Sequence, residues 1–275
     1  MRPDIKPIKI YRPFNGIEIK LFGKPDDWNL SRHKFGSVVL NRVANITEMS
    51  GVKNILAPRP SMFNAKICDS KDLIERLEIG RGIKLFRGCD ADGVPLKKGE
   101  AFWLSSADCP TIIVTDIKSG KTIAAHGGRN SLMDSVKITT GKKSRKNESV
   151  IDSIMSRMKG VNKSDIRAFI VSGVRPENFK HRYSDKNRGV YNKLMVEYVI
   201  DKWGRRCVVG EPKDGRISLV EIIKSQFVGY GVKRSQIKST PIHTYEDRDK
   251  KGNYVWWSNR RGDKLKRNGV LVIKH

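Results

Sequence analysis

The sequence predicts an α+β fold, and two observations carry that expectation. Four amphipathic stretches at helical spacing stand among short β-rich runs. Helices and hairpins also follow one another without the regular strand–helix–strand alternation of a parallel α/β sheet. At 275 residues, 38% of them hydrophobic, the chain can bury one large core or two small ones.

Residues 1–30 alternate apolar and polar at Ile17, Ile19 and Leu21, which reads as strands ending at Gly23-Lys24-Pro25-Asp26. Val39, Leu40, Val43, Ala44 and Ile46 mark a first helix, closed by Gly51. Strands are expected at 101–105, 111–115, 122–126, 167–172, 207–209, 254–258 and 269–273. Val150, Ile151, Ile154, Met155 and Met158 form a second helical face behind Asn147 as N-cap. Tyr191, Leu194, Met195, Tyr198 and Val199 form a third. Ser218 and Glu221 form a capping box that opens a fourth, ending at Gly229 or Gly231. Met and aromatic residues on these faces read as core.

Two β-rich runs flank the Lys118-Ser119-Gly120 turn, which makes 111–126 a hairpin. Partner numbers around a turn centred near residues 117–118 sum to about 235, which sets Cys109 beside His126. A thiol and an imidazole held together suit a metal site or an activated nucleophile. The other cysteines, Cys68, Cys89 and Cys207, show no Cys-x-x-Cys pairing, as expected of reduced thiols in a cytoplasmic protein. No apolar leader follows Met1, and no run approaches the ~18 apolar residues of a membrane span, so no membrane partner is expected.

Fifty-five Lys and Arg against 29 Asp and Glu leave a formal charge of +26. The excess is uneven. Residues 69–136, which hold the hairpin, carry ten basic and ten acidic side chains. Residues 137–188 carry 14 against five, residues 233–275 carry 12 against four, and residues 1–68 carry 12 against five. Such a surplus attracts polyanions, with counterion release supplying affinity. Lys142, Lys143, Arg145 and Lys146 lie in a polar loop. Lys180, Arg182 and Tyr183 follow Phe179, and Trp256 precedes Arg260, Arg261, Lys264, Lys266 and Arg267. Aromatics interleaved with cations favour single-stranded nucleic acid, RNA above all. Of Trp256 and Trp257, strand geometry sends one to the core.

Ala107-Asp108-Cys109-Pro110, an apolar strand, then Ala124-Ala125-His126-Gly127-Gly128-Arg129 resembles the signature of the laccase-domain family of polyphenol oxidoreductases. Leu40-Asn41-Arg42, Asp90-Ala91-Asp92-Gly93, 166–179, Thr244-Tyr245, 257–262 and 269–273 resemble other blocks of that family in order and spacing, from about Asn29 onward. The resemblance implies one domain over 1–275, a mixed sheet assembly flanked by helices, with basic additions at 1–30, 137–148 and 233–268. It also implies a zinc-dependent purine nucleoside phosphorylase or deaminase, with Cys109 and His126 as metal ligands, Arg129 on phosphate and Asp92 orienting substrate. The chain departs from the pattern at Met62, which stands where the family's first His ligand belongs, and at Gly173-Val174-Arg175 and His243-Thr244, where the family has Cys. A thioether is a poor zinc ligand, which leaves Met62, His243 or water to complete the site. Two readings follow. The first is a nucleic-acid-binding protein on a scaffold that has lost its metal and its catalysis, with no cofactor. The second is the zinc enzyme acting on a small purine nucleoside.

Overall fold

The computed structural model describes residues 5–30, 38–60, 65–80 and 82–275. Its strands are β1 (Lys9–Phe14), β2 (Ile17–Phe22), β3 (Asn54–Leu56), β4 (Glu75–Glu78), β5 (Lys84–Arg87), β6 (Gly93–Leu96), β7 (Glu100–Ser106), β8 (Thr111–Asp116), β9 (Thr122–His126), β10 (Ile166–Val171), β11 (Val208–Val209), β12 (Arg216–Ile217), β13 (Ile237–Ser239) and β14 (Asn268–Lys274). The helices are α1 (Val38–Glu48), α2 (Arg129–Leu132), α3 (Ser135–Thr140), α4 (Val150–Arg157), α5 (Gly189–Trp203) and α6 (Leu219–Gly229).

Seven strands form one mixed sheet in the order β1-β2-β14-β7-β3-β5-β4, and five form a second in the order β13-β10-β8-β9-β6. Period-two alternation decides how they stack. Along β8, Ile113 points one way and Ile112 and Val114 the other. Along β14, Val270 and Val272 face the same core as Ile113, whereas Leu271 and Ile273 face away. The two sheets therefore share a core. The outer face of the five-stranded sheet is covered by α4, α5 and α6 through Ile154, Met155, Val196, Val199, Ile222 and Phe227. The outer face of the seven-stranded sheet is covered by α1 through Leu40 and Val43, with Trp28. The result is helix, sheet, sheet, helix, an α+β assembly of the kind expected.

The central strands β7, β8, β9 and β14 present apolar side chains to both sides, and each buried Leu, Ile or Phe contributes roughly 1.5–3 kcal/mol. No helix among the described residues is long and apolar enough to cross a membrane.

Three local expectations need correction. The cap of α4 is Ser149, whose Oγ accepts from Asp152 N and whose N donates to the Asp152 carboxylate; Asn147 donates to Ser153 Oγ instead. Residues 254–258 form no strand, only an isolated bridge from Tyr254 to Arg248. The short β3, β4, β5, β6, β12 and β13 were not expected; they hold two to four residues each, too few for a period to register.

Candidate active site

The β8–β9 hairpin pairs Thr111 with His126 and Ile112 with Ala125. Its register is two units from the one expected, because the turn sits later. Asp116 O accepts from Gly120 N at 2.8 Å, and its carboxylate accepts from Lys118 N at 3.0 Å. Extended past Pro110 and Gly127, whose N donates to Pro110 O at 2.7 Å, this ladder sets Cys109 opposite Gly128. The thiol meets His126 nonetheless, because Gly128 has no side chain. A Cβ there would lie 2.4 Å from His126 Cε1, 2.8 Å from Nε2 and 3.3 Å from Cys109 Sγ. The imidazole occupies that space beside the Cys109 sulfur.

Asp108 turns the chain so that Cys109 faces outward. Its φ of +87° is costly for a non-glycine residue. Three bonds hold it there: its carboxylate accepts from Thr244 Oγ1 at 2.7 Å and Arg260 N at 2.8 Å, and its carbonyl accepts from Val174 N at 2.9 Å. Gly173 makes the approach possible, since a Cβ on it would lie 1.8 Å from Asp108 O.

Asp92 is fully buried behind the histidine. Its Oδ1 lies 3.1 Å from His126 Nδ1 and accepts from Ser131 Oγ at 2.5 Å, while Oδ2 has no partner. With Nδ1 turned to Asp92, Nε2 faces the sulfur. Burial alone would push the His126 pKa down; Cys109 and Asp92 outweigh it and lift it to about 10. The order sulfur, imidazole, carboxylate is that of an activated thiol or of a fixed acid–base histidine.

The pair lies at the floor of a cavity of about 420 Å³. Arg129, Arg188 and Arg260 line its wall, and none of the three guanidiniums forms an ion pair with a carboxylate among the described residues; the backbone N–H groups of Arg188 and Arg260 meet Asp185 and Asp108 instead. Arg260 stacks on Phe179 at 4.4 Å, and Phe179 packs edge-on against His181 at 4.7 Å. His181 Nε2 lies 3.4 Å from the Arg260 guanidinium. Burial, then Arg129, Arg260 and Arg188, depress the His181 pKa to about 3. Arg188 and His181 escaped the sequence reading. The available signal was Phe179-x-His181, two residues apart and therefore pointing the same way in extended chain.

The remaining candidates divide. Lys142, Lys146, Lys180, Arg182, Lys264 and Lys266 are exposed. Lys143 pairs with Glu148 at 3.0 Å. Arg145 is not a free phosphate arm: it donates to Asn130 O at 2.7 Å and Glu148 O at 2.5 Å. Arg261 donates to Tyr245 O at 2.7 Å and pairs with Asp263 at 2.8 Å, and Arg267 donates to Lys264 O at 3.0 Å and Lys266 O at 2.8 Å. Trp256 offers no stacking face, being buried with its indole N–H on Asp247 at 3.0 Å; Trp257 is the half-exposed member of the pair. Tyr183 is half-buried against the helical core. His243 is buried, with Nδ1 accepting from Glu246 N at 3.2 Å. Met62 lies outside the described residues.

A family model described as multi-copper polyphenol oxidoreductase laccase matches residues 75–272. The chain belongs to that family. Its fold is similar to that of the Bacillus licheniformis hypothetical protein YfiH, with a TM-score of 0.66 at 17% identity, covering 100% of this chain and 98% of that one. YlmD from Geobacillus stearothermophilus gives 0.65 at 16%, covering 96% and 94%. A Neisseria meningitidis protein of the family model DUF152 gives 0.66 at 14%, covering 98% and 99%. No curated protein matches the chain.

The laccase-family description names copper, and the resemblance implies zinc. Catalytic zinc takes three protein ligands and a blue-copper centre two His and a Cys. Cys109 and His126 supply two donors, Asp92 is engaged on the far nitrogen of His126, and no group of three His, Cys, Asp or Glu among the described residues could hold an ion. The described donor set fits neither metal.

Proposed function

We propose that the chain is a phosphate-handling enzyme of purine nucleosides, built on the Cys109–His126–Asp92 group. One observation carries the reading: a single cavity holds an imidazolium at its floor and three guanidiniums without carboxylate partners on its wall. About 420 Å³ suits a small ligand. Arg129, Arg188 and Arg260 would hold phosphate, a dianion that guanidiniums grip through paired N–H groups. Phosphate would attack the anomeric carbon as the bond to the base breaks. The proton on His126 Nε2 would pass to the departing base, with Asp92 holding the ring in position. The purine itself is taken from the family resemblance.

The test is release of free base from inosine, adenosine and guanosine with and without phosphate, together with metal analysis of the purified chain. Base release that requires phosphate and is lost in Cys109→Ala supports the reading. No release from any of the three, with phosphate affinity unchanged in Arg260→Gln, would overturn it.

A second reading is favoured by the +26 charge, which a neutral nucleoside does not require. Lys142, Lys146, Lys180, Arg182 and Lys264 are exposed and without carboxylate partners among the described residues, a surface suited to RNA or another polyanion.

A further inference from the structure

Away from the cavity, Cys68 and Cys89 meet in the core between the two sheets. Cys68 is fully buried, Cys89 is half-buried against the same cluster, and each thiol feels the other. Lys66 Nζ lies 4.0 Å from Cys89 Sγ. We propose that Cys68 and Cys89 form a reversible intramolecular disulfide in response to a peroxide.

The asymmetry of the pair sets the order of events. Cys89 has solvent access and a cation beside its sulfur, the setting in which a cysteine meets an oxidant. Cys68 is closed off from solvent, and its burial, with Cys89 beside it, pushes its pKa up to about 12, so it stays protonated until its partner has reacted. In the first step Cys89 sulfur attacks peroxide. A sulfur–oxygen bond forms, the oxygen–oxygen bond breaks, and one water leaves. In the second, Cys68 sulfur attacks the sulfenic sulfur of Cys89. The disulfide forms as the sulfur–oxygen bond breaks, and the Cys68 proton leaves with the hydroxyl as a second water. Two thiols are oxidised and one peroxide is reduced to two waters.

The cross-link would join the segment that carries Asp92 to the neighbouring segment that holds its backbone. Cys68 N donates to Gly93 O at 3.0 Å, Asp92 N donates to Lys66 O at 2.8 Å, and Arg59 N donates to Cys89 O at 2.9 Å. The Lys66–Cys68 stretch and the Cys89–Gly93 stretch are thus already laced together.

The experiment is titration of the whole chain with hydrogen peroxide, followed by alkylation under denaturing conditions and peptide mapping by mass. The expected product has lost two hydrogens, joins the Cys68 and Cys89 peptides, and returns to two alkylated thiols with dithiothreitol. Cys109→Ser should leave the cross-link intact. Cys89→Ser should abolish it. Cys68→Ala should stop at a Cys89 sulfenic acid trapped by dimedone, which keeps the test independent of the double-thiol fold. A Cys89 sulfinic acid with Cys68 still alkylatable, a Cys89–Cys109 cross-link, or no dimedone adduct in Cys68→Ala would each overturn the proposal.

Discussion

Two histidines share one cavity and are driven in opposite directions. His126, at the floor, is lifted to about 10; His181, on the wall, is pressed to about 3. Burial pushes both down, so it cannot separate them. The neighbours do. His126 faces Cys109 and Asp92, and His181 faces Arg129, Arg260 and Arg188. The cavity is therefore polarised, with a proton donor held between Asp92 and Cys109 at one end and a cationic wall at the other. An anionic co-substrate would enter along that gradient, with its charge on the wall and its partner's leaving group toward the floor.

The contrast breaks most completely at the floor. Asp92→Asn keeps the shape but removes the charge that holds the imidazolium, and Cys109→Ala removes the sulfur on its other side. Each should lower turnover by at least ~100-fold, the range in which positioned acid–base groups act. Each should also drop the His126 pKa, read from its ring proton shifts by NMR. A His126 pKa unchanged in both variants would mean that the neighbours do not set it.

Gly128→Ala tests the same end by space instead of charge. The new methyl carbon would lie 2.4 Å from the His126 ring, so the ring must leave Cys109. Turnover should fall by roughly 10–100-fold while Asp92 and Cys109 stay in place. Reaction of Cys109 with iodoacetamide across a pH series should change together with it. If both measurements match the parent chain, the ring does not depend on that gap.

Much of this floor was legible in the sequence, and the reason is geometric. Cys109 and His126 belong to one hairpin, and a hairpin's register needs only a turn and an alternation. The turn was misplaced, yet the two side chains still meet, because Gly128 lets the ring cross the ladder. The wall was less legible. Arg129 was singled out from its place in the signature, but Arg188 precedes α5 and Arg260 follows the buried Trp256, and only tertiary packing brings them together. Charge runs and aromatics misled for the same reason: composition does not tell an exposed Lys142 from a bonded Arg145, or Trp257 from Trp256. The layered fold was the most readable of all. Its long strands and helices carry clean periods, and what went unseen was strands of two to four residues and the short helices α2 and α3.

Removing charge from the wall should have an intermediate effect. Arg188→Gln with Arg260→Gln should raise the KM for phosphate about tenfold, with kcat less affected, and should let the His181 pKa rise. Stability against pH reads the same change. His181 is held neutral below its ordinary value of 6.5, so the unfolded chain binds a proton that the native chain refuses. Stability is therefore lost as pH falls from about 6.5 toward 3, and the double variant should lose less of it. His126 behaves conversely: its contribution is complete below 6.5 and is lost as pH rises through about 10. Urea midpoints from pH 3 to 10 separate the two. An acid limb identical in the parent and the double variant would dissociate His181 from the wall.

The smallest effect is expected on the outer surface, and it sharpens the contrast between charges facing a ligand and charges bonded within the fold. Lys142, Lys146, Lys180, Arg182 and Lys264 are exposed, whereas Arg145 and Arg261 hold backbone carbonyls. Changing the first set to Gln should leave the melting temperature within a degree or two, since exposed charges contribute little to stability. It should weaken binding of single-stranded RNA and flatten its salt dependence by about 0.7 log units per tenfold salt for each phosphate no longer neutralised. Arg145→Gln should do the reverse. Two half-buried carbonyl partners lose their donor, so the melting temperature falls by a few degrees while the salt slope stays as it was. RNA binding with no salt dependence in the parent chain would leave the surplus charge without a polyanion partner. A slope that responds to Arg145 as strongly as to the lysines would place that guanidinium on the ligand after all.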